Sequence, residues 1–302
     1  MRILITGGAG FIGHNLALFL GEKGFDVVVF DSFERASRIA VGRLEAARIP
    51  VVRGDVRSFN GCQGFDVVVH AAAYVSVPES FEKPAEYIDN NVTGTARVAY
   101  VCGRAGARII YLGSAAVYGE PVRLPIPEEH PVNPLSPYGL SKYLGELVLQ
   151  RFSRFYGFKY VALRLFNVYG PGQNPSYAGV VTVFAERALR GEPLVVYGDG
   201  SQTRDFIYVG DVARIILGFI ERDLFDNTVY NIGTGKPTTI NQLARGIARL
   251  AGRDGVEIVY EKERPGDIRH SYADIRKLLS RINIEFTPLE EGLRHVLNSI
   301  RQ

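Results

Sequence analysis

The sequence predicts an α/β protein: a doubly wound parallel sheet, followed by a smaller mixed α/β domain in the C-terminal part. Two observations support this prediction. Short aliphatic runs, such as Arg2–Thr6 and Asp26–Asp31, alternate with helical patterns through the first half of the chain, and this alternation is typical of parallel sheets. Further along, the elements become shorter and are separated by Gly and Pro clusters. We therefore expect one domain over residues 1–166 and a second over 167–302, with the segment around 205–229 as a candidate to return to the first.

The composition is that of an ordinary globular protein and argues against several functional classes. Hydrophobic residues make up 46% and charged residues 22% of the 302 positions, and the net charge is +3 with both signs interspersed. A charge this small provides no basic field for nucleic acid, and no apolar run is long enough for a membrane span. Cys62 and Cys102 lack metal-ligand spacing. We therefore expect two reduced thiols in a cytoplasmic protein with no metal site and no nucleic-acid or membrane partner.

A glycine-rich turn follows the first predicted strand and precedes a helical pattern. Glycines spaced three apart permit a tight turn, close approach of the backbone to a pyrophosphate, and close packing of helix on strand. The N-terminus of the helix then presents amide groups and a partial positive charge to the phosphates. The sequence thus predicts a Rossmann-type dinucleotide site. The residues of this turn that we expect to contact the cofactor are Gly7, Gly10, Phe11, Ile12 and Gly13.

The end of the second strand discriminates between cofactors. Asp31 lies 18 residues beyond Gly13, where a carboxylate can bind the hydroxyls of the adenosine ribose. Its negative charge would repel a 2′-phosphate, which favours NAD over NADP. Arg35 and Arg38 follow closely and represent the alternative, since they could bind that phosphate. Further cofactor contacts are expected from Ser32, Asp55, Val56, Ala71, Ala72, Ala73 and Asn90.

Tyr138 and Lys142 form the candidate catalytic pair. They are four residues apart on a predicted helix that begins after Ser136–Pro137, a suitable cap and first-turn proline, so both side chains lie on one face. A phenol has a pKa of about 10, and a shift of three units needs about 4 kcal/mol. One ammonium group is too little for that, so a second positive charge is required, and an oxidised nicotinamide ring would provide it. His70, at the end of another strand, is interpreted as a packed residue.

Several motifs, taken together and in this order, resemble those of the extended short-chain dehydrogenase/reductases. They are Thr6–Gly13, Asp31, Gly54–Val56, Asn90–Val92, Ser114, Tyr138 with Lys142, and Arg204–Phe206. The resemblance covers nearly the whole chain. It implies an NAD-dependent enzyme in which Ser114, Tyr138 and Lys142 are catalytic. It also implies that Ser114 binds the substrate hydroxyl, and that Tyr138 and Lys142 contact the cofactor.

Ala115 and Ala116 restrict the set of reactions that we expect within that family. Nucleotide-sugar dehydratases and UDP-xylose-forming decarboxylases carry an acidic residue here, and alanine cannot protonate a departing hydroxyl. The resemblance therefore implies 4-epimerisation of a UDP-hexose (UDP-galactose and UDP-glucose, or their N-acetylated forms) by transient oxidation and re-reduction at C4. Ala116 departs from the Ser or Thr of most 4-epimerases. The alternatives are a reductase, a decarboxylase, an epimerase of a different sugar, or a non-catalytic NAD- or RNA-binding relative.

The same resemblance implies that residues of the second half contact the substrate. Those at the family positions for the diphosphate, the uridine and its ribose are Asn167, Val180, Tyr197, Arg204, Phe206, Arg264 and Asp267. Ser271 falls near the position that gates the sugar pocket, where a small residue is associated with acceptance of N-acetylated sugars. Many relatives dimerise through two long helices, equivalent to residues 84–104 and 137–156 here. We therefore expect a homodimer that acts in galactose metabolism.

Overall fold

The computed structural model describes residues 1–177, 179–263 and 267–301, so Arg264 lies outside the described residues. The chain forms two compact units. The first comprises Met1–Gly119, Pro131–Leu165 and Ala213–Tyr230, and the second comprises Glu120–His130, Phe166–Val212 and Asn231–Gln302. Over the described part of the chain, no helix combines the length and the apolar character needed to cross a membrane.

The regular elements alternate between strand and helix through the first 165 residues. The strands, in chain order, are β1 (Arg2–Thr6), β2 (Asp26–Asp31), β3 (Val51–Arg53), β4 (Val67–His70), β5 (Arg108–Ser114), β6 (Tyr160–Leu165), β7 (Asn167–Tyr169), β8 (Leu194–Tyr197), β9 (Thr203–Tyr208), β10 (Thr228–Ile232), β11 (Pro237–Thr239), β12 (Ile258–Glu261) and β13 (His270–Ser271). The α-helices are α1 (Phe11–Glu22), α2 (Arg38–Ala46), α3 (Val77–Glu82), α4 (Pro84–Ile88), α5 (Gly94–Arg104), α6 (Pro137–Tyr156), α7 (Val180–Arg190), α8 (Val209–Glu221), α9 (Ile240–Leu250), α10 (Arg276–Leu279) and α11 (Leu289–Arg301). Short 3-10 turns cover Val56–Ser58, Ala115–Val117 and Pro175–Tyr177, and a π-helical turn covers Asp89–Thr93.

A seven-stranded sheet of the order β10-β6-β5-β4-β1-β2-β3 underlies the first unit. The strands from β1 to β6 pair in parallel, which confirms the predicted doubly wound sheet. The direction of the strand order reverses between β1 and β4, and ligands of such sheets bind at the carboxyl ends beside that point. Thr6, Asp31 and His70 end the three strands nearest to it. The predicted cofactor contacts that directly follow these strands therefore lie at the carboxyl ends of the strands, beside this point.

The inner strands of this sheet are mostly apolar because helices cover both faces. All six residues of β6 and all four of β4 are buried. One core cluster joins Leu4, Val68 and Ile109 of three neighbouring strands to Val98 and Cys102 of α5. This packing holds α5 against the sheet and thereby fixes the π-helical turn that precedes it.

β9 is the central strand of the second unit. β11 pairs with it in the antiparallel sense, and β7 and β13 pair with it in parallel, while β8 and β12 form a separate parallel pair. α7, α9 and α11 contribute Phe184, Leu243 and Leu297 to one core cluster. The segment Glu120–His130 joins this unit, since the amide of Ile126 donates to the carbonyl of Tyr272 at 2.9 Å.

Some elements differ from the sequence-based expectation. The predicted helix over residues 84–104 consists of α4, the π-helical turn and α5. The sequence analysis did not identify α2, α3, α7 and α10, nor the strands β10 and β12. It also missed the strands β7, β11 and β13. These strands are two or three residues long, which is too short for a period-two pattern to stand out.

Candidate active site

The glycine-rich turn packs directly against the segment that follows β4. Gly7 has a φ of +67°, and a Cβ there would lie 2.5 Å from both the backbone nitrogen and the Cα of Ala72. A Cβ at Gly13 would collide with the carbonyl oxygen of Gly7. The amide of Gly10 donates to that same oxygen at 3.1 Å, and α1 begins directly after Gly10, which has no side chain to cap the helix. The first amides of α1 can therefore donate to a diphosphate, so this turn fits NAD.

Asp31 couples the end of β2 to the glycine turn. Its Oδ2 accepts from the amide of Ala9 at 2.9 Å, and its Oδ1 accepts from the amide of Phe33 at 2.7 Å. Burial raises the pKa of the Asp31 carboxyl, and these two hydrogen bonds oppose the rise. A carboxylate held beside the phosphate turn suits the ribose hydroxyls of NAD and disfavours a 2′-phosphate.

Arg35, the alternative phosphate ligand, already has partners within the first unit. Its Nη1 donates to Oε2 of Glu79 at 2.7 Å, and its guanidinium carbon lies 3.6 Å from the centre of the Tyr74 ring. Both partners of the ion pair are largely buried, with 16% and 18% of their side-chain surfaces exposed. This arrangement explains Arg35 without a 2′-phosphate and agrees with NAD as the cofactor.

The predicted cap of α6 is confirmed, and it places Tyr138 in the first turn. Oγ of Ser136 accepts from the amide of Gly139 at 3.0 Å, with Pro137 as the first helical residue. Tyr138 is half-buried and shares a hydrogen bond with Ser114, the last residue of β5. Burial raises the pKa of the Tyr138 phenol, and the bond with Ser114 opposes the rise.

Lys142 lies one turn further along α6 and is 4% exposed. Its Nζ donates to the carbonyl of Leu112 at 2.6 Å and lies 4.8 Å from the centre of the Tyr111 ring. Burial lowers the pKa of Lys142 to about 8, and the carboxylate of Glu146 opposes the fall. The groups of the protein therefore leave Tyr138 a weak base near neutral pH. This agrees with the expectation that a second positive charge is needed.

Asn91 and Ser141 were missed as site residues by the sequence analysis. Nδ2 of Asn91 donates to Oγ of Ser141 at 2.9 Å and to the carbonyl of Tyr74 at 3.0 Å, and Ser141 in turn donates to the carbonyl of Tyr138 at 2.7 Å. These bonds tie the π-helical turn to the first turn of α6. A signal was present, because consecutive asparagines within a helical pattern are poor helix formers and π-turns often mark functional sites.

His70 is a packed residue, as expected. Its Nδ1 lies 2.6 Å from Oγ1 of Thr6 and its Nε2 lies 3.0 Å from Oγ1 of Thr95. Burial lowers the pKa of His70 to about 3, and the charge of Lys142 adds to this. The imidazole is therefore neutral at physiological pH and engaged at both nitrogens.

The other predicted cofactor contacts stay predictions, and the structure gives their positions. Asp55 caps a 3-10 turn and pairs with Arg57 at 2.5 Å, which lowers the pKa of the carboxyl. Nδ2 of Asn90 donates to Oδ1 of Asn91 at 2.9 Å. The remaining ones, at the start of α1 and after β2, β3 and β4, are Phe11, Ile12, Ser32, Val56, Ala71 and Ala73.

In the second unit, β9 and its neighbours bring several predicted substrate contacts together. Asn167 lies opposite Phe206 in the β7–β9 register, and Ser271 lies opposite Arg204 in the β13–β9 register. Nη2 of Arg204 lies 3.7 Å from Oδ1 of Asp267, with the arginine side chain 15% and the aspartate 47% exposed. Burial lowers the pKa of Arg204, and Asp267 opposes the fall. The result is a cation with an exposed acid beside it, which suits a diphosphate linked to a ribose.

Two predicted substrate contacts are not part of this group. Val180 is the first residue of α7 and packs against the core cluster that contains Phe206. Tyr197 ends β8, and its carbonyl accepts from Nε2 of Gln202 at 2.6 Å. Their roles stay predictions, as does that of Arg264.

Asp205, which the sequence analysis did not single out as a site residue, holds Arg204 in place. It is completely buried and accepts hydrogen bonds from the amides of Thr234, Gly235 and Ala273 at 2.8, 2.9 and 3.1 Å. These bonds join β9 to the turn before β11 and to the residues after β13. The backbone that carries Arg204 is thereby fixed.

Comparisons with known proteins agree with this geometry. Residues 3–233 match the NAD dependent epimerase/dehydratase family. A Methanocaldococcus jannaschii protein provisionally named UDP-glucose 4-epimerase is 39% identical over 300 residues, which cover 98% of this chain and 97% of the relative. The crystal structure of UDP-glucose 4-epimerase from Thermotoga maritima with UDP-glucose is 36% identical, with a TM-score of 0.92 over 100% of this chain and 99% of that chain. UDP-N-acetylglucosamine 4-epimerase from Methanobrevibacter ruminantium, in complex with UDP-N-acetylmuramic acid, is 34% identical, with a TM-score of 0.92 over 99% of this chain and 98% of that chain. The chain therefore belongs to the NAD dependent epimerase/dehydratase family, and its cofactor is NAD.

Proposed function

We propose that this protein is a UDP-glucose 4-epimerase-like isomerase, which interconverts UDP-galactose and UDP-glucose by oxidation and re-reduction at C4 of the sugar. The observation that carries the proposal is the hydrogen bond between Ser114 and Tyr138, with Lys142 buried one turn away. The UDP-glucose 4-epimerase names of similar proteins support the substrate.

Three side chains of the first unit perform the proton chemistry. Tyr138, as a phenolate, removes the proton of the sugar 4′-hydroxyl and later returns it, which is general acid–base catalysis. Ser114 holds that hydroxyl and helps to pass the proton. The ammonium of Lys142 favours the phenolate by its charge. NAD, when bound, supplies the reversible hydride acceptor and a positive ring.

The turn after Ser114 argues for epimerisation over loss of water. Ala115, Ala116 and Val117 form the 3-10 turn, and the amide of Ala116 donates to Oγ of Ser114 at 3.2 Å. A dehydratase needs an acid here to protonate the departing hydroxyl, and methyl groups cannot do so. Ala116 also offers the sugar no side-chain hydroxyl, so within this turn we expect Ser114 to provide the hydroxyl that contacts the sugar.

The second unit is proposed to bind the UDP moiety. Arg204 and Arg264 are assigned to the diphosphate with Asn167, Asp267 to the ribose, and Val180, Tyr197 and Phe206 to the uridine. Ser271, a small residue beside Arg204 in the sheet register, supports acceptance of N-acetylated sugars. The similar UDP-N-acetylglucosamine 4-epimerase supports the same extension.

The deciding experiment is incubation of the purified holoenzyme with UDP-galactose, UDP-N-acetylgalactosamine and UDP-glucuronate, followed by NMR analysis of the products. We expect UDP-glucose from the first and UDP-N-acetylglucosamine from the second. If none of the three UDP-sugars yields its C4 epimer, the proposal is refuted. Net consumption of NADH would indicate a reductase instead.

We further propose a homodimer that acts in galactose metabolism in the cytoplasm. An aromatic patch of α5 and α6, consisting of Tyr100, Phe152, Phe155 and Tyr156, supports the dimer, because Phe155 is 69% exposed and its ring contacts both Phe152 and Tyr156. A large aromatic patch on a surface commonly marks an interface. Cys62 and Cys102 are free buried thiols, which agrees with a reducing compartment.

A further inference from the structure

A buried ion pair lies one helical turn beyond Lys142. Glu146 of α6 and Arg164 of β6 are each 5% exposed. Nη2 of Arg164 lies 2.7 Å from Oε2 of Glu146, and Nε lies 3.1 Å from Oε1. The guanidinium carbon of Arg164 also lies 4.8 Å from the centre of the Tyr118 ring. Both charges are thus withdrawn from solvent, which carries a desolvation penalty for each ion.

Stability alone is a weak reason for such a pair. Replacement of a buried ion pair by apolar residues of similar volume is often neutral or stabilising. A buried pair at this position therefore calls for an explanation other than stability, and its surroundings provide one.

The carboxylate of Glu146 touches the strand end that carries the catalytic groups. A Cβ at Gly113 would come within 3.1 Å of Oε1 of Glu146, so the strand passes directly over the carboxylate. On one side of Gly113 lies Leu112, whose carbonyl accepts from Nζ of Lys142 at 2.6 Å. On the other side lies Ser114, which bonds to Tyr138.

Glu146 is the acidic group among the titratable residues that surround Lys142. From β5 the neutral ring of Tyr111 faces the ammonium, and from β4 the neutral His70 acts on it. Tyr138 lies on the same helix, and the Tyr87 ring of α4 packs edge-on against it at 6.4 Å. Burial disfavours the charged form of Lys142, and the Glu146 carboxylate favours it.

We propose that Glu146 is a positioning residue of the catalytic centre: its carboxylate, fixed by Arg164, keeps Lys142 protonated and supports the strand end from Leu112 to Ser114. Lys142 can then act on the Tyr138 phenolate as a cation. This inference deepens the proposed function, and only its kinetic test rests on that function.

The direct test is the titration of Lys142 in the holoenzyme. The chain has seven lysines, so NMR of protein labelled with ¹⁵N in the lysine ammonium groups can resolve them, and Lys142→Met identifies the signal. Glu146→Gln should lower the pKa of Lys142 by about one unit or more. Glu79→Gln, which removes the carboxylate of another buried arginine pair in the same unit, is the matched control and should leave that pKa unchanged.

A second variant separates the charge of Glu146 from the effect of an unpaired arginine. Glu146→Gln leaves Arg164 as a buried cation that itself repels Lys142. In Glu146→Gln/Arg164→Met both charges are gone, so the pKa of Lys142 should lie between those of the wild type and the single variant. This double variant also carries the test if the single variant does not fold. A Lys142 pKa equal to the wild-type value in the folded variants would overturn the proposal.

Kinetics provide an independent readout. With UDP-galactose as substrate, the alkaline limb of the kcat profile should move to lower pH by the same amount as the Lys142 pKa. A merely structural role would lower kcat without moving that limb, which would contradict the proposal. If the wild type epimerises no UDP-sugar, the proposed function fails, and the NMR titration still decides the role of Glu146.

Discussion

Gly7→Ala tests whether the turn after β1 is shaped for a diphosphate. The backbone φ of +67° at Gly7 costs a residue with a Cβ about 1–2 kcal/mol. The new methyl group would lie 2.5 Å from the Cα of Ala72 and 2.8 Å from the carbonyl carbon of Ala71, both of which are backbone atoms that cannot turn away. Such overpacking costs about 1–3 kcal/mol. We therefore expect a loss of about 2–5 kcal/mol in the free energy of unfolding, together with displacement of the turn from the phosphates.

Gly24→Ala is the matched control for this variant. Gly24 has a φ of +83°, and among the described residues other than Gly24 and its two chain neighbours, no heavy atom lies within 4 Å of the position that a Cβ would take there. Gly24→Ala should therefore lose only the conformational part of the free energy of unfolding, about 1–2 kcal/mol. Both variants share the same change in the entropy of the unfolded chain. The measurements are urea unfolding and the molar ratio of NAD to protein after gel filtration. Equal destabilisation of the two variants, with NAD retained by both, would refute the reasoning about this turn.

The other predictions concern the base, the acid stability and the assembly. Tyr138→Phe should lower kcat by about 10²–10⁴-fold and leave the NAD content unchanged; activity close to the wild type in a steady-state assay would contradict the role of base. Burial lowers the pKa of His14 to about 4 and that of His70 to about 3. In the unfolded chain both histidines bind a proton below about pH 6.5. Each histidine should therefore lower the free energy of unfolding by up to about 1.4 kcal/mol per pH unit of acidification below that pH. His70→Gln should reduce this slope in urea titrations at pH 4.5–6.5, and an unchanged slope would argue against it. Phe155→Arg should convert the proposed dimer to a monomer in light scattering, with Arg151→Ala as an α6 control; a dimer that survives the change would place the interface elsewhere.

The sequence predicted the first unit well because local signals and tertiary structure agree there. The run Arg2–Thr6 is too apolar for an exposed strand, and the glycines after it satisfy a backbone need that no other residue type meets. The Ser136–Pro137 cap likewise works within a single turn, since the amide of Gly139 is bound by Ser136 itself. Local patterns of this kind predict the folded structure correctly because the groups that interact are close together in the sequence.

The second unit was harder to predict because its contacts are distant in sequence. β9 pairs with strands that begin at Asn167, Pro237 and His270, and each pairing involves only two or three residues. Asp205 accepts from amides 29, 30 and 68 positions away. A buried aspartate of this kind cannot be distinguished by its local sequence from one on a surface. Only the resemblance to a family pointed to the substrate contacts in this part of the chain.

The same limit hid the residues behind the proposed catalytic pair, and it explains why Tyr138 and Lys142 alone were an incomplete description. Spacing places two side chains on one face of a helix, but it gives no information about what lies beneath that face. Beneath this face of α6 lies the end of β5, where three consecutive residues make different contacts. The carbonyl of Leu112 binds the ammonium, the missing side chain of Gly113 admits the carboxylate of Glu146, and the hydroxyl of Ser114 bonds to the phenol. Burial disfavours the charged forms of both proposed catalytic groups, Tyr138 and Lys142. We infer that each of these contacts, together with the charge of a bound cofactor, favours those charged forms. The basicity of Tyr138, the proposed base, thus depends on the strand end and the cofactor as much as on the helix that carries it.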